Sequence, residues 1–165
     1  MNLIDLLLAR SGLQAGARVL DVGCGVGGTS RHLAAALGCA VTGVTISGRQ
    51  VEIATRLTRA AATKDAVPDD DGFLPLAEGR VRFVELDAEK MGDYFSTGAG
   101  AGAGPFDAVW ISEALSHFPD KALFFANAAR LLRPGGRLVL ADWFKAEALS
   151  DGAFAADIKP IEGRR

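Results

Sequence analysis

The sequence predicts an α/β protein with a doubly wound, mainly parallel sheet, and three observations predict it. Short segments rich in Val, Leu and Ile alternate with amphipathic helical segments, the order that builds a parallel sheet covered on both faces. A glycine-dense turn joins the first strand directly to a helix. The 165 residues are 49% hydrophobic and 23% charged, the composition of one ordinary globular domain, and no compositional shift marks a second.

The elements follow in order. Residues 1–16 hold an N-terminal helix, 17–142 the core and 143–165 a short tail. Five strands are expected, at 18–22, 40–44, 81–86, 107–112 and 137–141, each bounded by Gly, Pro or Asp. A helix over 29–37 leaves the glycine loop and ends at Gly38. The next opens with Ser47-Gly48-Arg49-Gln50, a capping box in which Gln50 reaches back to Ser47, buries Val51, Ala54, Leu57 and Ala61, and ends near Lys64. A further helix over 121–132 presents Leu123, Phe124, Ala128 and Leu131 or Leu132, and stops at Pro134-Gly135-Gly136. Residues 65–79, with Pro68, Pro75 and consecutive aspartates, and the Gly/Ala run 98–104 read as surface loops without chemistry.

Charge and cysteine usage narrow the partners. With 18 Lys+Arg against 20 Asp+Glu, no basic footprint for nucleic acid or an anionic membrane exists, and a small molecule is the expected partner. Cys24 and Cys39 lack metal-ligand spacing and scaffold density, so both read as free thiols in a reducing compartment; no metal is expected. The apolar run Leu3-Ile4-Asp5-Leu6-Leu7-Leu8 carries an acid and is too short for a span, so a cytoplasmic location is expected.

The chemistry centres on Val19-Leu20-Asp21-Val22-Gly23-Cys24-Gly25-Val26-Gly27-Gly28. Glycines after a strand let backbone approach a ligand, and the helix start supplies N–H groups and a positive dipole end. Gly23-x-Gly25-x-x-Gly28 also satisfies the dinucleotide pattern, so the loop alone does not choose a cofactor. Asp21 tilts the choice: a carboxylate at the strand end suits a ligand ammonium, which dinucleotides lack.

Here the chain resembles the class I S-adenosylmethionine-dependent methyltransferases, through the acid-x-Gly-x-Gly-x-Gly run from Asp21 to Gly27, Leu86-Asp87-Ala88, Phe106-Asp107-Ala108-Val109 and the run from Leu131 to Leu138. Gly43-Val44-Thr45-Ile46-Ser47 with Gln50, and Ser112-Glu113-Ala114-Leu115-Ser116-His117-Phe118, resemble the small-molecule branch that includes tocopherol, sterol and sarcosine methyltransferases. The resemblance implies a Rossmann-like sheet of order 3-2-1-4-5 and S-adenosylmethionine as cofactor. It implies that Asp21, Gly23, Cys24, Gly25 and Gly27 hold the methionine part, with Thr45, Ile46, Gln50 and Ser112 also around the cofactor. Asp87 would accept from the adenine amine and the Ala88 N–H would donate to the ring. The bland alternative for Asp87 is a cap of the helix following it. Thr45 stands where many relatives carry an acid that takes the ribose hydroxyls, and with Arg49 nearby this keeps an NADP-dependent reductase as the competing reading. A third is a cofactor-binding fragment without turnover.

Methyl transfer from a sulfonium requires positioning more than chemistry. Where the acceptor must lose a proton, Glu113 and His117, at i and i+4 after the fourth strand, are the acid–His pair expected at the mouth; a surface ion pair is the structural alternative. Trp110 and Trp143 read as core and sheet-edge aromatics. The resemblance also implies two further strands beyond the fifth, which residues 150–165 do not supply. The fifth strand would then be an apolar edge open to self-association, unless residues 144–158 cover it.

Overall fold

The protein is described by a computed structural model over residues 3–143, 150 and 152. Expectations about the tail, including cover of the sheet edge by residues 144–158, lie outside the described residues.

Its centre is a sheet of six strands, β1 (Arg18–Val22), β2 (Ala40–Thr45), β3 (Leu74–Leu76), β4 (Gly79–Glu85), β5 (Phe106–Ser112) and β6 (Leu132–Ala141), in the order β3-β4-β2-β1-β5-β6. The five strands expected from sequence lie in the expected order, and all their pairings are parallel. The sixth is a correction. Residues 65–79 are not wholly loop, because β3 pairs antiparallel with β4, Leu74 opposite Val81 and Leu76 opposite Gly79. Leu74 and Leu76 are buried while Pro75 between them is exposed, the alternation of a half-covered strand compressed below a recognisable length.

Alternation of side chains sorts the strands' residues between two cores. On one face Val19, Val41, Val81 and Trp110 pack with Leu7 and Leu8 of α1 (Leu3–Ser11) and with Leu33 and Ala34 of α2 (Gly28–Leu37). On the other, Leu20, Val22, Val44, Val109 and Ile111 pack with Met91 and Phe95 of α4 (Met91–Ser96) and Phe124, Ala128 and Leu131 of α5 (Lys121–Leu131). The Trp110 indole is wholly buried in the first core, as expected.

Helix α3 (Gly48–Ala61) corrects two expectations. Ser47 does cap it, accepting the Gln50 N–H at 3.3 Å. The Gln50 amide oxygen does not return to Ser47, however, but accepts the Thr45 hydroxyl at 2.6 Å. The helix buries Ala54 and Thr58, whereas Leu57 is 40% exposed, Ala61 is exposed and Val51 is half-buried. Thr58 can take an inward position because its hydroxyl donates to the Ala54 carbonyl at 2.8 Å. At the far end, α5 stops at Leu131 and β6 begins at Leu132, before Pro134. The Gly/Ala run is folded as successive turns, with Gly100 N–H on the Tyr94 carbonyl at 3.1 Å and Ala103 N–H on that of Gly100 at 3.0 Å.

Candidate functional site

In a parallel sheet the residues that follow each strand gather at one edge. The register pairs Val22 with both Val44 and Ile111, and Thr45 with Glu85. Gly23, Ile46, Leu86 and Glu113 therefore emerge side by side. They line one cavity of about 550 Å³ together with Gly25, Val44, Thr45, Gln50, Asp87, Ala88, Glu89, Ala114, His117, Phe118 and Pro119, a size in the usual range for small-molecule pockets, about 300–1,000 Å³.

The glycine loop is held to the sheet by Gly23 and Cys24, whose N–H groups both donate to the Val44 carbonyl, at 2.9 and 3.0 Å. Gly23 has φ 72° and a Cβ there would stand 2.5 Å from Ala114 Cβ, so the position requires glycine twice over, for conformation and for space. Gly27, at φ 75°, caps α2 with the Phe83 ring 2.4 Å from where its Cβ would be.

Of the expected cofactor residues, Gly23, Gly25, Thr45, Ile46, Gln50, Asp87 and Ala88 line the cavity, and Asp21, Cys24, Gly27 and Ser112 do not. Asp21 is 2% exposed, beneath the loop, where its Oδ2 accepts the Ser30 hydroxyl at 2.6 Å. Burial pushes its carboxyl up to about 6, against a smaller downward pull from the Ser30 bonds. Cys24 and Cys39 are both free and buried; burial raises both thiols, that of Cys39 to about 11. Ser112 ends β5 half-buried.

Asp87 Oδ1 accepts the Glu89 N–H at 3.0 Å, capping the 3-10 turn Ala88–Lys90, and the residue also borders the cavity. Gln50 Oε1 accepts the Thr45 hydroxyl, which fixes the side-chain amide beside the cavity. Ile46, 73% exposed, adds an apolar surface.

Glu113 and His117 both reach the cavity, but they do not share a helical face. Glu113 sits at φ 54° and His117 closes a 3-10 turn over Leu115–His117, so the i, i+4 geometry of an α-helix is absent. Glu113 Oε1 instead accepts the indole N–H of Trp143 at 3.1 Å. Trp143, 83% exposed, is thereby placed beside the mouth. Sequence reasoning missed Val44, Leu86, Glu89, Ala114, Phe118 and Pro119 as lining residues; Val44, Leu86, Ala114 and Phe118 stand inside the motifs that carry the resemblance, and only nearness to Asp87 and His117 pointed to Glu89 and Pro119.

These features fit S-adenosylmethionine. Gly23 and Gly25 offer backbone without side chains, Asp87 stands beside Ala88, and carboxylates from Asp87, Glu89 and Glu113 suit a ligand that carries a sulfonium and an ammonium.

The comparisons with known proteins agree. The chain is 41% identical over 131 residues to 2-methyl-6-phytyl-1,4-hydroquinone methyltransferase of Synechocystis sp., covering 79% of this chain and 33% of that protein. It is 37% identical over 142 residues to 27-O-demethylrifamycin SV methyltransferase of Amycolatopsis mediterranei, covering 86% of this chain and 44% of the relative. The chain thus spans between a third and a half of these relatives' length. Among solved structures it resembles the [4+2]-cyclase SpnF, with TM-score 0.62 and 30% identity over 82% of this chain and 42% of that one. It also resembles Haemonchus contortus phosphoethanolamine N-methyltransferase 2 in complex with S-adenosyl-L-methionine, with TM-score 0.61 and 27% identity over 82% of this chain and 26% of that one. Nothing in these matches favours a reductase. A methyltransferase domain family model matches residues 2–160, and the chain belongs to that family.

Proposed function

We propose that this chain is the S-adenosylmethionine-binding domain of a methyltransferase acting on a small-molecule acceptor. The observation that carries the reading is that the glycine loop after β1 and Asp87-Ala88 after β4 border one cavity at the carboxyl ends of the strands. When bound, S-adenosylmethionine supplies an electrophilic methyl group whose leaving group is already activated. The chain's own residues bind, orient and exclude water. Asp87, fixed by the Glu89 N–H, accepts from the adenine amine. Thr45 fixes Gln50 so that its amide nitrogen donates to the ribose. Asp21 acts from below: held by Ser30, it sets the loop that receives the methionine end. His117, exposed at the mouth, takes a proton from a hydroxyl acceptor, and Glu113 orients Trp143 over the same opening.

The named relatives act on a phytyl hydroquinone and on a rifamycin precursor, which supports an organic small molecule as acceptor. The two free thiols support a reducing compartment such as the cytoplasm. We also infer that β6 is the place where further strands of the fold would add, and that its edge self-associates when bare.

Calorimetric titration with S-adenosylhomocysteine tests the site. Saturable one-to-one binding is expected, weakened about tenfold or more in Asp87→Ala, as loss of a charged hydrogen bond of about 1.5–3 kcal/mol requires. Equal affinity in the variant would remove Asp87 from the site.

A further inference from the structure

The cavity described above lies at the carboxyl ends of the strands, and a second one, of about 420 Å³, opens at their amino ends. Arg18 is the first residue of β1, Arg80 and Arg82 stand in β4, and all three line this second cavity with Phe73 and Asp71. Its remaining wall includes residues 99–103 of the Gly/Ala loop, which carry no side chain larger than methyl.

The arginines are placed, not loose. Arg82 is half-buried, its Nε donating to Thr42 Oγ1 at 3.1 Å and its Nη1 to the Asp71 carbonyl at 3.0 Å. Arg80 Nη1 pairs with Asp69 Oδ2 at 2.8 Å. Both guanidiniums lie on the same Phe73 ring, 4.5 and 4.7 Å from its centroid. Arg18 reaches the loop, where Nη2 donates to the carbonyls of Gly102 and Ala103. A guanidinium has five donors. Among the described residues these bonds leave Arg18 Nε and Nη1, Arg80 Nε and Nη2, and Arg82 Nη2 unused. Arg80 is paired with Asp69, and Asp71 is the carboxylate among the lining residues, so two acids face three cations and the cavity keeps an excess positive charge that an anion would offset.

We propose that this cavity binds a small phosphoryl-bearing anion, held by Arg18, Arg80 and Arg82 across the sheet from the cofactor site. Guanidinium forks match phosphoryl oxygens in geometry as well as charge, and the low wall of the loop leaves room for an organic group attached to the phosphoryl. The site is independent of the cofactor reading, since it shares no lining residue with the first cavity.

Titration of the 165-residue chain with pyrophosphate at low salt tests it. Saturable one-to-one binding is expected, weakened at least about tenfold in Arg18→Gln and in Arg80→Gln, each removing a charged donor. Arg59→Gln, on the exposed side of α3, should change the affinity by less than about twofold. Arg82→Gln also loses the Thr42 and Asp71 bonds, so Arg82→Lys accompanies it; recovery of binding by the lysine separates lost charge from lost folding. S-adenosylhomocysteine should bind equally well with and without pyrophosphate. No saturable binding, equal loss in Arg59→Gln, full binding by an Arg18→Gln/Arg80→Gln double variant, or competition between the two ligands would each overturn the proposal. The arginines would then serve only to brace Phe73 and the loop.

Discussion

At the scale of single residues, the burial of Asp21 has a consequence that denaturation can read. Its carboxyl is raised from 3.8 to about 6 in the folded chain, so the folded state holds its proton more tightly than the unfolded state does. Below the lower value both states are protonated and the group is neutral in the balance. Between the two values the unfolded chain has released its proton while the folded chain still holds it, so stability falls as pH rises, by roughly 3 kcal/mol in full at about 1.4 kcal/mol per unit. Asp21→Asn, which cannot ionise, should therefore gain on the wild type between pH 4.5 and pH 7.5 in urea unfolding. A difference between the two proteins that stays constant with pH would contradict the burial of the charge. His117 offers a second reading at this scale. His117→Ala should lower methyl transfer to a hydroxyl acceptor about a hundredfold or more, within the usual range for a lost general base, with S-adenosylhomocysteine affinity unchanged; full transfer at several pH values would leave positioning alone as the source of catalysis.

At the scale of elements, β6 is the one whose surroundings matter most. It pairs with β5 along one side and ends the sheet among the described residues, with Leu138 at 37% exposure. The opposite edge is β3, short and interrupted by Pro75, which blunts pairing with another chain. Light scattering should find the chain self-associated at micromolar concentration and Leu138→Lys closer to monomeric; a wild-type monomer would show that the β6 edge is covered. Elements of regular period were legible in the sequence, because β1, β2, β4 and β5 are apolar runs between turn residues. What escaped was set by tertiary contact. β3 has too few residues to show a period and exists through its pairing with β4. The inward phase of α3 turns on Thr58, a polar residue made inward-facing by a bond to its own helix. The helical placement of Glu113 and His117 failed because spacing alone cannot reveal a left-handed residue at Glu113.

At the scale of the molecule, the motifs singled out the glycine loop and Asp87-Ala88, and strand order brings Gly23, Gly25, Asp87 and Ala88 to one cavity. The distinction between residues that line it and residues that support it was not readable. Asp21 and Cys24 sit in the same motif as Gly23 and Gly25, yet burial places the first two beneath the surface that a ligand would touch. The second cavity was invisible for a related reason: Arg18 and Arg82 lie inside segments read as ordinary strand, Phe73 inside one read as loop, and Arg80 between loop and strand. The first cavity is the one proposed to receive S-adenosylmethionine. The most direct measurement is a calorimetric comparison of S-adenosylhomocysteine with NADPH on the same chain. Saturable one-to-one binding of S-adenosylhomocysteine is expected, at least about tenfold tighter than that of NADPH; tighter binding of NADPH would show that the cavity serves another cofactor.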